Sequence, residues 1–230
     1  MSKKIAILQS NYIPWKGYFD IINMVDEFVI FDSVQFTKND WRNRNRIKTS
    51  NGLNWITIPV KHSTSQKINE IVVLNNKWRK KHWQSLKQNY SKSTYFKKYI
   101  EIFEDLYINT NDVFLSEINL LFIKAINSIL GIRTNISQSS EYKLEGEKNL
   151  KLINICNQAN ASEYISGPAA KSYLNEKQFE ENNIKVFWMD YSDYPEYNQL
   201  NPPFEHGVSI LDLIFNEGDN AVNYMKSFKL

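Results

Sequence analysis

Two short apolar runs, "KIAILQ" (4–9) and "EFVIFDSVQF" (27–36), bracket a helical pattern at the start of the chain. Between them, in "KGYFDIINMV" (16–25), Phe19, Ile22 and Val25 recur at helical spacing, whereas the flanking runs are continuous and rich in β-branched and aromatic residues. Strand, helix and strand in so short a span predict a parallel pair, because the helix carries the chain back to the edge where the first strand began. The right-handed crossover rule then places both strand C-termini on one sheet edge, where open α/β sheets bind ligands. The turn at 9–18 and the segment at 32–46 must share that edge.

The remainder fits the same class. "RIKTSNGLNWITIPV" (46–60) reads as a β-hairpin around Asn51 and Gly52. "INEIVVL" (68–74) and "NISQSSEY" (135–142) read as strands, residues 76–107 as a long helical stretch with a break near Ser91–Thr94, and "FLSEINLLFIKAINSILG" (114–131) as a helix ended by Gly131. "EKNLKLINICNQAN" (147–160) predicts a helix, "EYISGPAAKSYL" (163–174) a strand, turn and helix, and "IKVFWMDY" (184–191) a last strand. "VSILDLIFNEG" predicts a closing helix stopped by Gly218. The expectation is one α/β domain over 1–230: a Rossmann-like parallel sheet with a β-hairpin and a helical insertion at 76–131. At 230 residues the chain is long enough to bury a substantial core.

Charge narrows the partners. The net charge is only +3, yet residues 38–98 hold fifteen Lys or Arg against two acids, Asp40 and Glu70. A basic segment in an acidic frame points to an anionic partner such as phosphate, nucleotide or nucleic acid, and a solvated lysine-rich helix face accounts equally well for residues 77–98. No stretch reaches the roughly 18 to 20 apolar residues of a membrane span. The N-terminus has only a strand-length apolar run, unlike a signal peptide. Cys156 stands alone and there are three histidines, so neither an internal disulfide nor a structural zinc site is expected, and a cytoplasmic location fits.

In the first turn Gln9, Asn11 and Tyr18 offer amide and phenol groups, and Gly17 could let backbone approach a ligand. Trp15 and Tyr18 serve equally as core aromatics. In the second segment Asp32 stands at a strand end, placed to bind a hydroxyl or act as a base. Gln35 and Lys38 follow, and then Arg42, Arg44 and Arg46 alternate with Asn43 and Asn45. In an extended strand this puts the arginines on one face and the asparagines on the other, and guanidinium groups grip phosphate or carboxylate. His82 shares a helical stripe with Trp78 and Leu86, which makes it either a satisfied core histidine or a general base. Lys171, after the Ser-Gly-Pro turn, is an exposed lysine or an anion ligand. His206 precedes the last helix as a cap or ligand residue, and "DYSDYPEY" (190–197) suits a polyhydroxylated sugar or plain packing. No metal constellation stands out.

Taken together, "LQSNYIPWKGYFD", "FVIFDSVQFTKNDWRNRNRIKT", "NWITIPV", "HWQSLKQNY", "YISGPAAKSYL" and "VSILDLIFN" resemble the WbqC-like family of bacterial proteins, in order and over almost the whole chain. The family more often shows Pro where this chain has Ser10. The resemblance implies a place in O-antigen or other surface-polysaccharide clusters and transfer of glycine or a similar acyl group onto an amino sugar. On that reading Asp32 or His82 takes the amine proton, Lys38, Arg42, Arg44 and Arg46 hold phosphates, and Gln9, Asn11 and Tyr18 orient a nucleotide-linked amino sugar. An anionic donor is then required: acyl-CoA, an ATP-activated acid, or an aminoacyl-tRNA, which would bring a tRNA contact. The strand–turn–helix opening also resembles the HIGH-motif nucleotidyltransferases, pantothenate synthetase especially, with Trp15, Lys16, Gly17 and Tyr18 in place of the histidine-containing turn. An ATP-dependent ligase or nucleotidyltransferase and a non-catalytic nucleic-acid-binding protein are the alternatives.

Overall fold

The computed structural model describes residues 2–63 and 65–229. Along the chain, β1 (Lys4–Leu8), α1 (Lys16–Asn23) and β2 (Glu27–Ile30) are followed by a hairpin of β3 (Arg44–Thr49) and β4 (Gly52–Thr57). A small second pair, β5 (Val60–Lys61) and β6 (Val72–Val73), leads into three long helices: α2 (Lys77–Tyr90), α3 (Phe96–Ile108) and α4 (Leu115–Leu130). The chain then returns to the sheet through β7 (Asn135–Gln138), α5 (Lys148–Gln158), β8 (Glu163–Ser166), α6 (Glu176–Glu181) and β9 (Lys185–Trp188), and closes with α7 (Ile210–Glu217).

β1, β2, β7, β8 and β9 form one parallel sheet in the order β7-β2-β1-β8-β9. The opening β-α-β unit is present as the apolar runs predict. Strand alternation divides the sheet residues between two cores. Ile5, Ile7, Val29 and Phe31 pack with Leu152 and Cys156 of α5 and Phe179 of α6. Ala6, Phe28 and Ile30 pack with Phe19 and Ile22 of α1 and with Phe122 and Ile126 of α4. The architecture is a mixed α/β fold with a covered central parallel sheet, consistent with a Rossmann-like class. No helix among the described residues is long and apolar enough to cross a membrane.

The hairpin turns over Ser50 and Asn51, so that Gly52, at φ +95°, pairs with Thr49. Two expected elements differ. "INEIVVL" contributes a 3-10 turn at Ile68–Glu70 and only the two residues of β6. Its backbone groups go to separate partners: Ile68 N–H to Val34 O, Asn69 N–H to Asp32 O, and Ile71 O to Leu115 N–H. No continuous ladder remains to extend a strand. After β8 the Gly-Pro turn leads into a 3-10 segment, Pro168–Ser172, and the α-helix begins only at Glu176.

Gly131 ends α4 in the left-handed conformation at φ +73°, where any Cβ is strained. Gly131→Ala is expected to lower the unfolding free energy by about 1 kcal/mol in a urea melt, with the m-value unchanged.

Candidate functional site

The strand order reverses direction beside β1: the chain goes from β1 outward through β2 to β7, then crosses back to β8 on the other side. Such a switch point splays the loops apart and opens a crevice outside the strand C-termini. A cavity of about 590 Å³ lies there, reaching from Leu8, Gln9 and Phe31 to Ser166, Gly167 and Tyr173. Arg42, Lys148 and Lys151 supply its charge, and no carboxylate is among its described lining residues.

Gln9, Asn11 and Arg42 meet as expected. Arg42 donates to Asn11 Oδ1 through Nη1 and to Gln9 Oε1 through Nη2 at 3.3 Å, and Asp40 lies 3.6 Å from the guanidinium. Ser10, between the two amides, is fully buried. Its N–H and Oγ donate to Asp32 at 2.8 and 2.6 Å, and Ser116 Oγ of α4 donates to the same carboxylate. Asp32 is 3% exposed. Burial pushes its pKa up, opposed by the hydrogen bonds from Ser10 and Ser116. Asn119 Nδ2 reaches both Ser10 Oγ and Arg42 O at 2.9 Å. The carboxylate thus faces inward and clamps the turn, rather than facing the cavity.

The arginine–asparagine alternation holds. Asn43 and Asn45 are buried, and the three arginines are not. Asn43 Nδ2 donates to Ile58 O at 2.9 Å. Asn45 Nδ2 donates to Tyr12 O and Ile13 O at 3.0 and 2.9 Å. Ile13 has φ +38°, a strained position for a β-branched residue, and these two bonds hold it there. The arginines divide: Arg42 lines the large cavity, while Arg44 lies against Trp55 on the hairpin and Arg46 against Trp41 just before it.

The WbqC-like protein family model matches residues 9–224, which takes in the site from Gln9 onward. The chain belongs to the WbqC-like protein family. It is also 49% identical over 226 residues to an uncharacterized protein of Mycobacterium tuberculosis, covering 97% of this chain and 98% of that one. No solved structure matches the chain.

In this WbqC-like protein several residues singled out from sequence lie elsewhere. His82 is in the core, 6% exposed, between Tyr12 OH at 2.9 Å (Nδ1) and Thr57 O at 3.2 Å (Nε2). Nε2–H donates to the carbonyl, which leaves Nδ1 to accept from Tyr12. Burial lowers its pKa to about 4, so at neutral pH it is an uncharged core histidine. Tyr18 is buried, with its OH donated to Gln9 O at 2.9 Å, so it supports the turn from beneath. Gly17 gives no ligand access: the indole of Trp15 covers it and would collide with a Cβ there. Lys38 is exposed on the turn before Asp40, and Lys171 is exposed over the Trp188 ring at 5.5 Å; neither lines the cavity. His206 is exposed beside Phe204, and Ser209 caps α7 in its stead. Gln35 does line the cavity. The tyrosines after β9 are packing groups: Tyr191 and Tyr194 meet Trp15, and the hydroxyls of Tyr194 and Tyr197 donate to the buried Asp20 and Asp212.

Lys148, Lys151 and Tyr173 were not among the residues singled out from sequence. α5 follows β7, so its first turn necessarily opens at the binding edge of a parallel sheet, and that topological signal identifies both lysines.

Two measurements check these placements. Asp32→Ala strands the buried Ser10 N–H and should cost about 3 kcal/mol in denaturant unfolding. For His82, the unfolded state takes up a proton as pH falls below its ordinary value of 6.5, whereas the folded state stays neutral down to about 4. Stability is therefore lost through that window, by about 3 kcal/mol in all. His82→Phe should lose this contribution to the slope, read from denaturant melts of both proteins between pH 7 and 4.

Proposed function

We propose that the protein is a cytoplasmic transferase that joins an acyl or aminoacyl group, with glycine the leading case, to the amine of a nucleotide-linked amino sugar in O-antigen or other surface-polysaccharide biosynthesis. The observation that carries this reading is the cavity at the sheet's switch point, walled by Arg42, Lys148 and Lys151 with no acid among its described lining residues, Asp40 pairing with Arg42 from outside that lining. Phosphate oxygens are the natural partner for such a set. The apolar wall of Phe31, Val34 and Leu152 suits the base or sugar ring. Membership of the WbqC-like family supports the wider assignment.

In the reaction the amine nitrogen attacks the donor carbonyl and the C–N bond of the amide forms. The donor's leaving group departs with its bonding electron pair, and the amine's proton passes to that group or to solvent. Asp32 and His82 are both spent on structure, so the protein contributes orientation and charge stabilisation. Arg42 holds the oxygen ends of the Gln9 and Asn11 amides. Their NH₂ ends are then the donors for the developing oxyanion. Asp32 positions both through Ser10.

A UDP-linked amino sugar should raise the melting temperature, and incubation with glycyl and acyl donors should add the acyl mass to the sugar nucleotide. Lys151→Gln should weaken sugar-nucleotide binding about tenfold, roughly 1.4 kcal/mol, without lowering the melting temperature of the free protein. No shift with any sugar nucleotide would overturn the reading. Pyrophosphate release from ATP with no acyl product would assign the cavity to nucleotidyl transfer.

A further inference from the structure

A second cavity of about 300 Å³ lies on the other side of the Gln9–Arg42–Asn11 bridge. Asn11, Trp15, Trp41, Asn45, Arg46 and Gly207 line it. Gln9 and Arg42 face the first cavity and Asn11 faces the second, so a hydrogen-bonded partition of three side chains stands between them.

Three features of this second cavity, and of Trp55 and Arg44 on the hairpin beside it, call for a ligand. First, Trp41 and Trp55 are 40% and 41% exposed, with ring centroids 5.3 Å apart. Arg44 covers one face of Trp55, and the exposed part of Trp41 remains a stacking surface. Second, the guanidinium groups are set but unsatisfied. Arg44 lies 4.1 Å over the Trp55 ring, and Arg46 lies 5.6 and 5.7 Å from Trp41 and Trp55. Among the described residues no hydrogen bond or ion pair engages either guanidinium, and the Nε of each is buried without a partner. A buried Nε–H without an acceptor is costly, and the Nη groups beside it are free to take an anion. Third, Gly207 clears the space: a Cβ there would collide with Arg46 Nη2, so Arg46 is held flat against backbone at the cavity wall.

We infer that this cavity is a second ligand subsite, which takes the adenosine-phosphate end of the acyl donor, with the purine stacked on Trp41 and the phosphate on Arg46 and Arg44. The chemistry selects this class. Two unpaired guanidinium groups ask for more than one negative charge, and the exposed indoles ask for a flat ring. A neutral sugar brings no charge to meet Arg46, and no carboxylate among the cavity's described lining residues would oppose an anion there. Nucleotides supply both charge and ring, as in single-strand recognition by stacked bases and Arg contacts. The inference rests on the transferase reading for its word "donor". Acyl-CoA, acyl-adenylate and the 3′ end of an aminoacyl-tRNA all carry adenosine with phosphate, so one subsite serves any of them. Donor and acceptor would then meet across the partition, at the amides of Gln9 and Asn11.

The test is titration of tryptophan fluorescence and calorimetry with 3′-phosphoadenosine 5′-diphosphate, ATP and the trinucleotide CCA. UDP-glucosamine serves as the probe of the larger cavity. Adenine nucleotides should quench Trp fluorescence and bind alongside UDP-glucosamine rather than in competition with it. Arg46→Ala should weaken adenine binding at least tenfold and leave UDP-glucosamine binding as it was, and Lys151→Gln should do the reverse. Trp41→Ala, a change at an exposed ring, provides the same reading if Arg46→Ala does not fold. Preference among the three adenine probes names the donor type. Adenine binding that survives both substitutions, or that competes with UDP-glucosamine, would overturn the subsite. If adenine nucleotides bind through Arg46 while UDP-glucosamine binds nowhere, the subsite holds and the acyl-transfer reading fails.

Discussion

The carboxylate of Asp32 ties together the parts of the molecule that matter for function. It sits at the end of β2, receives both donors of Ser10 from the end of β1, and is capped by Ser116 from α4. Its burial is costly for a charge, and the three donors offset that cost. Because Ser10 lies between Gln9 and Asn11, the clamp sets the direction of both amides. Asn119 extends the same network to the backbone of Arg42, so the arginine segment and the first turn are locked by one buried cluster. The two cavities are separated by side chains whose positions derive from this cluster.

A second constraint works from the opposite side. Asn45 holds Ile13 in a strained conformation, and Trp41 O accepts from Tyr12 N–H at 3.0 Å. The hairpin and the first turn therefore form one unit although more than 25 residues separate them in sequence. Residues that alternate through this segment serve different purposes: Asn43 and Asn45 are buried and hydrogen-bonded to backbone, and the arginines lie on the more exposed face. A strand with arginine at every second position requires that division.

Much of this was legible in the sequence. The β-α-β opening, the hairpin, the helix stop at Gly131 and the two faces of "RNRNR" all follow from periodicity and turn chemistry, which are local. What escaped depends on distant partners. Asp32 carries a residue type of catalysis, and only Ser10 and Ser116, which fill its hydrogen bonds, make it structural; for His82 the core alternative read from its helical stripe is the one that Tyr12 and Thr57 complete. Gly17 looked open because no pattern says that Trp15 folds back over it. Lys148 and Lys151 carry no local signal of a site, and only the strand order brings the start of α5 to the cavity. "INEIVVL" has the composition of a strand, yet its backbone is divided among three partners.

The central claim is that Arg42, Lys148 and Lys151 hold phosphates at the switch point of the sheet. A crystal structure of the protein with a UDP-linked amino sugar tests it most directly. The account predicts the diphosphate within hydrogen-bond reach of those three side chains, with the sugar amine turned toward Gln9 and Asn11. A diphosphate bound anywhere else on the molecule, with the cavity between β1 and β8 empty, would contradict it.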